Sequence, residues 1–149
     1  MKEQSFTITS SEILDALLTE VQLSVYQPKP EAKAELKSIS RSGVWDTGAT
    51  NSCITQRVVD ELGLIPLGRE QVYTAGGLTT VDLYIVDVML PNGILFQGIE
   101  VLCVELEDTS DVLIGMDIIC RGDFAISNYN NQTTISFRTP SADVIDFGH

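Results

Sequence analysis

The turn Pro91-Asn92-Gly93 stands between two long runs of β-prone residues, Val81 to Leu90 and Ile94 to Val104. No other feature of the chain narrows its fold as much. Asn and Gly readily take the positive φ angles that a tight hairpin needs, so the two runs are predicted to fold back on each other as antiparallel strands.

Further β signals flank this hairpin. From Leu17 to Tyr26, Val21, Leu23 and Val25 alternate with Gln22, Ser24 and Tyr26, a strand pattern that Gln27-Pro28-Lys29-Pro30 ends. Ala34 to Ser40 is a second alternating run, and Arg41-Ser42-Gly43 leads from it into Val44-Trp45-Asp46. Gln71 to Thr80 holds Ala75-Gly76-Gly77, read as a glycine hairpin tip. Val112-Leu113-Ile114 is a short apolar strand after the acidic loop Glu105 to Asp111. Phe124-Ala125-Ile126 and Thr134 to Phe137 are strands joined by a turn at Asn130-Asn131.

Helical signals are few. Glu12 to Leu18 suggests a helical turn capped by Ser10 or Ser11. Ile54, Val58, Val59 and Leu62 share one helical face, and Gly63 closes that helix. Asp117 is read as the N-cap of a short turn reaching Cys120. Trp45 is assigned to the core, Cys53 to a small buried apolar position, and Tyr73 to cross-strand packing. The chain is therefore expected to be mostly β, a small barrel or sandwich with one or two short helices.

Composition limits the function classes. The 149 residues fit one domain, and the formal net charge of -12 argues against a nucleic-acid or anionic-membrane surface. The three cysteines (Cys53, Cys103 and Cys120) are odd in number, widely spaced and without a C-x-x-C pair, which argues against a disulfide framework or a zinc site. His149 is the sole histidine, which speaks against His-based triads and His-rich metal sites. No metal and no other cofactor is expected. The start of the chain has no signal-peptide pattern, and no apolar run approaches the roughly 18 residues of a membrane span, so a cytoplasmic protein is expected.

The candidate chemistry sits at Asp46-Thr47-Gly48-Ala49, which occurs once in the chain. A carboxylate at the end of an apolar strand is costly to keep unless it is used. Taken alone, Asp-Thr-Gly also fits an Asx-turn or a helix N-cap. If the chemistry needs two such aspartates, a second chain must bring the other.

The run Val44-Trp45-Asp46-Thr47-Gly48-Ala49, the glycine hairpin, and Leu113-Ile114-Gly115 resemble, in that order, the retropepsin-like (retroviral-type) aspartic proteases. Ile114-Gly115-Met116-Asp117-Ile118-Ile119 followed by Gly122-Asp123-Phe124 is similar to standalone bacterial and transposon members. The resemblance implies a closed, single-lobe β-barrel or sandwich over residues 17–138, with an N-terminal extension at 1–16 and a C-terminal tail at 139–149. It implies a homodimeric endopeptidase acting on a peptide or protein, each chain giving one catalytic Asp46. Thr47, Gly48 and Ala49 would complete the active-site loop, with the Thr47 hydroxyl bonding across the two-fold axis. Thr74, Ala75, Gly76 and Gly77 would form a flap over the substrate, and Leu113, Ile114 and Gly115 would pack behind the loop.

The chain departs from the viral pattern at two places. Many retroviral members carry an acid after Asp-Thr-Gly-Ala and an Arg after the later glycine, and here these positions are Thr50 and Met116. That loss motivates an alternative, a catalytically silent dimerisation or peptide-binding module of the same fold. The aspartyl-phosphate enzymes are a third class, but they need Asp-x-Asp or Asp-Lys-Thr-Gly-Thr, and no Lys follows Asp46.

Overall fold

A computed structural model describes residues 2–28, 37–107 and 110–148. The strands are β1 (Gln4–Thr9), β2 (Leu18–Val25), β3 (Ser38–Trp45), β4 (Cys53–Ile54), β5 (Gly68–Thr74), β6 (Gly77–Leu90), β7 (Ile94–Cys103), β8 (Val112–Ile114), β9 (Asp123–Ser127) and β10 (Thr134–Thr139). Two short helices are α1 (Gln56–Leu62) and α2 (Met116–Ile119). The larger sheet runs β2-β3-β8-β4-β7-β6-β5, and an added β2–β6 pairing closes its first six strands into a barrel. A second sheet, β1-β10-β9, is antiparallel throughout.

The hairpin at Asn92-Gly93 forms as its residues predict. Asn92 has φ 63° and Gly93 φ 74°, and β6 and β7 pair on either side of the turn. Strand β6 is longer than its β-prone run, because it continues back to Gly77 and joins the glycine hairpin to the barrel. A β-bulge interrupts β6 between Val86 and Val88. The buried Asp87 at the bulge accepts the Gly98 N–H at 2.9 Å.

Helix α1 starts two residues later than its periodicity suggests, since Ile54 belongs to β4. Gly63 ends it at φ 65°, where its N–H meets the carbonyls of Asp60 and Val59. At the other end, the Thr55 hydroxyl turns to Asp111 at 2.9 Å instead of capping the helix. Burial works against the Asp111 carboxylate, but hydrogen bonds from Arg57 and Thr55 and the charges of Arg57 and Arg41 leave its pKa lowered. That stabilising contribution is present above the usual carboxylate range and is lost as pH falls through the lowered folded value.

Glu12 to Leu18 forms no helix. Thr133 takes the local hydrogen-bonding groups: it accepts from Ser10 N–H at its carbonyl and from Leu14 N–H at its hydroxyl, and its own N–H donates to the Glu12 carbonyl. A single short turn is marginal by itself, so these tertiary bonds prevail. The first residues of the alternating run Ala34 to Ser40 lie outside the described residues, and from Ser38 onward the run belongs to β3.

The core between barrel and second sheet is aromatic. Trp45 stacks on Phe124 with ring centroids 4.9 Å apart, and it also meets Phe6 and Phe137. Its indole N–H donates to the buried Thr19 hydroxyl at 2.8 Å. Replacing Thr19 with Val keeps the shape and leaves that N–H unpaired, so Thr19→Val is expected to cost about 1–3 kcal/mol in urea denaturation. Unchanged stability would remove this bond from the account of the core.

Candidate active site

Strand β3 delivers Asp46. It pairs in parallel with β8, Trp45 opposite Ile114, and the ladder's last bond runs from Asp46 N–H to the Ile114 carbonyl at 2.9 Å. The chain then turns. Asp46 Oδ1 accepts the Gly48 N–H at 2.8 Å, and the Asp46 carbonyl accepts Ala49 N–H at 3.2 Å. This is an Asx-turn, one of the local geometries that Asp-Thr-Gly permits. Asp46 is half-buried, while Thr47 and Gly48 are exposed. The loop therefore presents one carboxylate at the surface, with one oxygen already held.

The loop is fastened from behind. The Ala49 carbonyl accepts Met116 N–H at 2.8 Å, and the Thr50 carbonyl accepts Asp117 N–H at 3.2 Å. Gly115 is what lets these backbones meet. A Cβ there would stand 2.8 Å from the Asn51 carbonyl carbon and oxygen and 2.9 Å from the Ala49 oxygen. Leu113 lies opposite Val44 and Ile114 opposite Trp45, beside the strand that leads into the loop, and Ile114 is fully buried.

Ser52 and Asp117 complete the fastening and were not singled out as a pair in the sequence. Asp117 is not the N-cap of α2, because Gly115 holds that position and Asp117 lies in the first turn. Its carboxylate accepts Ser52 N–H at 2.9 Å, the Ser52 hydroxyl at 2.7 Å and Ile118 N–H at 2.9 Å. The buried Ser52 oxygen in turn accepts Gly115 N–H at 3.0 Å. No local pattern announces this clasp, since its partners are 65 residues apart.

Cys53 is half-buried beside the same loop. Burial, then the charges of Asp117 and Asp46, push its thiol up to about 11, so it stays protonated at neutral pH.

Thr74, Ala75, Gly76 and Gly77 are the tip of the β5–β6 hairpin, with Thr74 paired to Gly77 across it. The Thr74 hydroxyl accepts Gly76 N–H at 3.3 Å and donates to the Gly77 carbonyl at 3.1 Å, and Gly77 has φ 105°. From Gly68 to Thr80 every residue of this hairpin is exposed except the half-buried Val72, so it forms an arm projecting from the barrel. Tyr73 is not packed: it lies opposite Leu78 and is 88% exposed, because no third strand covers that part of the arm. Among the described residues, no hydrogen bond joins this tip to the Asp46 loop.

The architecture agrees with the comparisons to known proteins. A family model described as aspartyl protease matches residues 32–118, more than half of the chain. The chain belongs to the aspartyl protease family. Its fold is similar to that of a retropepsin-like aspartic protease from Rickettsia conorii, with a TM-score of 0.55 at 13% identity, covering 93% of this chain and 97% of the other. The Simian Foamy Virus (mac) protease is also similar, at a TM-score of 0.46 and 16% identity, covering 69% and 91%. No curated protein sequence matches the chain. The mostly β fold, its closed barrel and its two short helices are those of the retropepsin-like proteases. No helix among the described residues is long and apolar enough to cross a membrane.

In this family member, Gly115 is a matter of space, since its φ of -96° is open to any residue. Gly115→Ala forces backbone against backbone and is expected to cost about 1–3 kcal/mol, read by thermal or urea denaturation. Wild-type stability in that variant would contradict the close approach.

Proposed function

We propose that this chain is an aspartic endopeptidase that works as a homodimer, with Asp46 of each copy forming a shared catalytic pair. One observation carries the reading: Asp46 sits at a strand end on a loop fastened by β8, α2 and the Ser52–Asp117 clasp, yet its carboxylate is not consumed by any ion pair among the described residues. A rigidly held, solvent-accessible carboxylate occurring once per chain suits chemistry that needs a second copy.

Two carboxylates brought to about 3 Å cannot both ionise readily, so they share one proton and titrate as a pair. The ionised member takes a proton from a water held between them. The protonated member hydrogen-bonds the scissile carbonyl, and as the tetrahedral intermediate collapses a proton passes to the leaving amine. Thr47 is free to bond across the axis, and Ala49 leaves room for substrate. The β5–β6 hairpin acts as a flap. Its backbone would meet an extended peptide by strand addition, and its closure would exclude water. Thr74, Ala75, Gly76 and Gly77 give the tip its turn and its reach.

The silent-module reading rests on the uncharged Thr50 and Met116, which remove the ion pair of the viral pattern. In this chain the Ser52–Asp117 clasp braces the loop from within, which weakens that objection.

Asp46→Asn preserves shape and removes the base. It is expected to lower peptide cleavage at least about 100-fold, the usual size of a lost general acid–base group, with the circular dichroism spectrum unchanged. Cleavage at the wild-type rate by folded Asp46→Asn protein would sink the protease reading. Binding of library peptides by the wild type, with no turnover, would favour the silent module.

A further inference from the structure

One carboxylate fastens the segment that follows β10. Asp123, the first residue of β9, accepts the Arg138 guanidinium at 2.7 Å, the Ser141 hydroxyl and the Ala142 N–H at 2.8 Å, with a long bond from the Asp143 N–H at 3.5 Å. Apolar packing adds little to this hold, since Val144 is 81% exposed, Ile145 46% and Phe147 89%. Ile145 lines an open cavity of about 310 Å³ with Ser5, Thr7 and Ser136 on the outer face of the second sheet. The tail therefore lies over that face without filling it. Its attachment is concentrated at Asp123, so it can come away while the core stays packed.

The fastened corner is one end of a short relay to the candidate site. Asp123 follows the turn Cys120-Arg121-Gly122, in which Arg121 N–H donates to the Ile118 carbonyl at 2.9 Å and Gly122 N–H to the Ile119 carbonyl at 3.3 Å. The end of β10 grips the same turn. The Thr139 hydroxyl donates to the Arg121 carbonyl at 2.7 Å, and a Cβ on Gly122 would stand 1.9 Å from the Arg138 carbonyl oxygen. Helix α2 is only four residues long. Its first N–H groups, on Met116 and Asp117, are those that hold the Ala49 and Thr50 carbonyls of the active-site loop. The loop and the tail are thus fastened to opposite ends of a single helical turn.

A single turn has little stability of its own, so its outside partners decide how firmly it is held. Among the described residues, Arg138 is the only residue outside the tail that bonds the Asp123 carboxylate. A partly exposed ion pair of that kind contributes little by itself. The tail supplies the other donors.

We propose that Asp123 is a positioning residue and that the tail from Ser141 onward is a latch on the active-site loop. With the tail seated, the turn after α2 is fixed and α2 keeps its grip on Ala49 and Thr50. With the tail released, the turn and α2 loosen together, Asp46 is held less firmly, and peptide cleavage slows. The effect on cleavage rests on the protease reading above; the effect on α2 does not.

The test reads both. A chain ending at Pro140 removes the latch, Ser141→Ala removes one of its donors, and Ser141→Thr keeps the hydroxyl. In the shortened chain, hydrogen exchange is expected to speed about tenfold at the Met116 and Asp117 amides and to stay unchanged at Val101 in the barrel. Its kcat is expected to fall about fivefold or more, with KM within about twofold of wild type, because the loop is displaced and the binding surface is kept. Ser141→Ala is expected to shift both readouts in the same direction by less, and Ser141→Thr to restore them. Unchanged exchange at Met116 and Asp117 in the shortened chain overturns the latch, as does a rise shared equally by Val101, which marks general loss of stability. Faster exchange with an unchanged kcat overturns the positioning role of Asp123. Faster exchange at α2 alone, in a protein whose full-length form cleaves no peptide, supports the latch and counts against the protease reading alone.

Discussion

The structure depends on the parallel seam between β3 and β8. That seam ends in the bond from Asp46 N–H to the Ile114 carbonyl, and the loop turns directly after it. Gly115 then lets the backbone of α2's first turn close on the backbone of Ala49 and Thr50. Ser52 and Asp117 lock the far side of the loop to the same turn. The result is a carboxylate held in place before any substrate arrives. Pre-organisation of this kind suits acid–base chemistry, where a displacement of about 1 Å costs much of the rate.

The same seam links the loop to the second sheet. Trp45, the last residue of β3, is shared between the barrel and Phe6, Phe124 and Phe137 of that sheet. Strand β9 thus touches the residue that precedes Asp46, through the Phe124–Trp45 stack. In the proposed homodimer, association is opposed by charge, since each copy carries a formal -12. Salt screens that repulsion over a Debye length of about 8–10 Å, so dimerisation should strengthen with ionic strength.

Local chemistry was legible in the sequence where a residue type dictates its own backbone. Asn92-Gly93 called for a hairpin and Gly63 for a helix end, and both take the expected positive φ. Features made by distant partners were not legible. The space at Gly115 is set by Ala49 and Asn51, more than 60 residues earlier in the chain, and only the fold brings them to it. The pairing of β1 with β10 joins the two ends of the chain. Asp117 looked like a cap because its partner Ser52 is remote and carries no signal of its own. The helical turn at Glu12 to Leu18 gave way to Thr133, and the bulge at Asp87 required Gly98 from the neighbouring strand. Tyr73 erred in the other direction, since a β-prone aromatic was given packing partners that a two-stranded arm does not supply.

Whether one site draws an Asp46 from each of two copies can be measured directly by subunit mixing. Wild-type and Asp46→Asn chains are unfolded together, refolded at varied ratio and constant total concentration, and assayed for peptide cleavage. If each site needs both carboxylates, activity falls as the square of the wild-type fraction, because every mixed dimer is inactive. A linear fall would mean that one copy carries a complete site, and would contradict the shared pair.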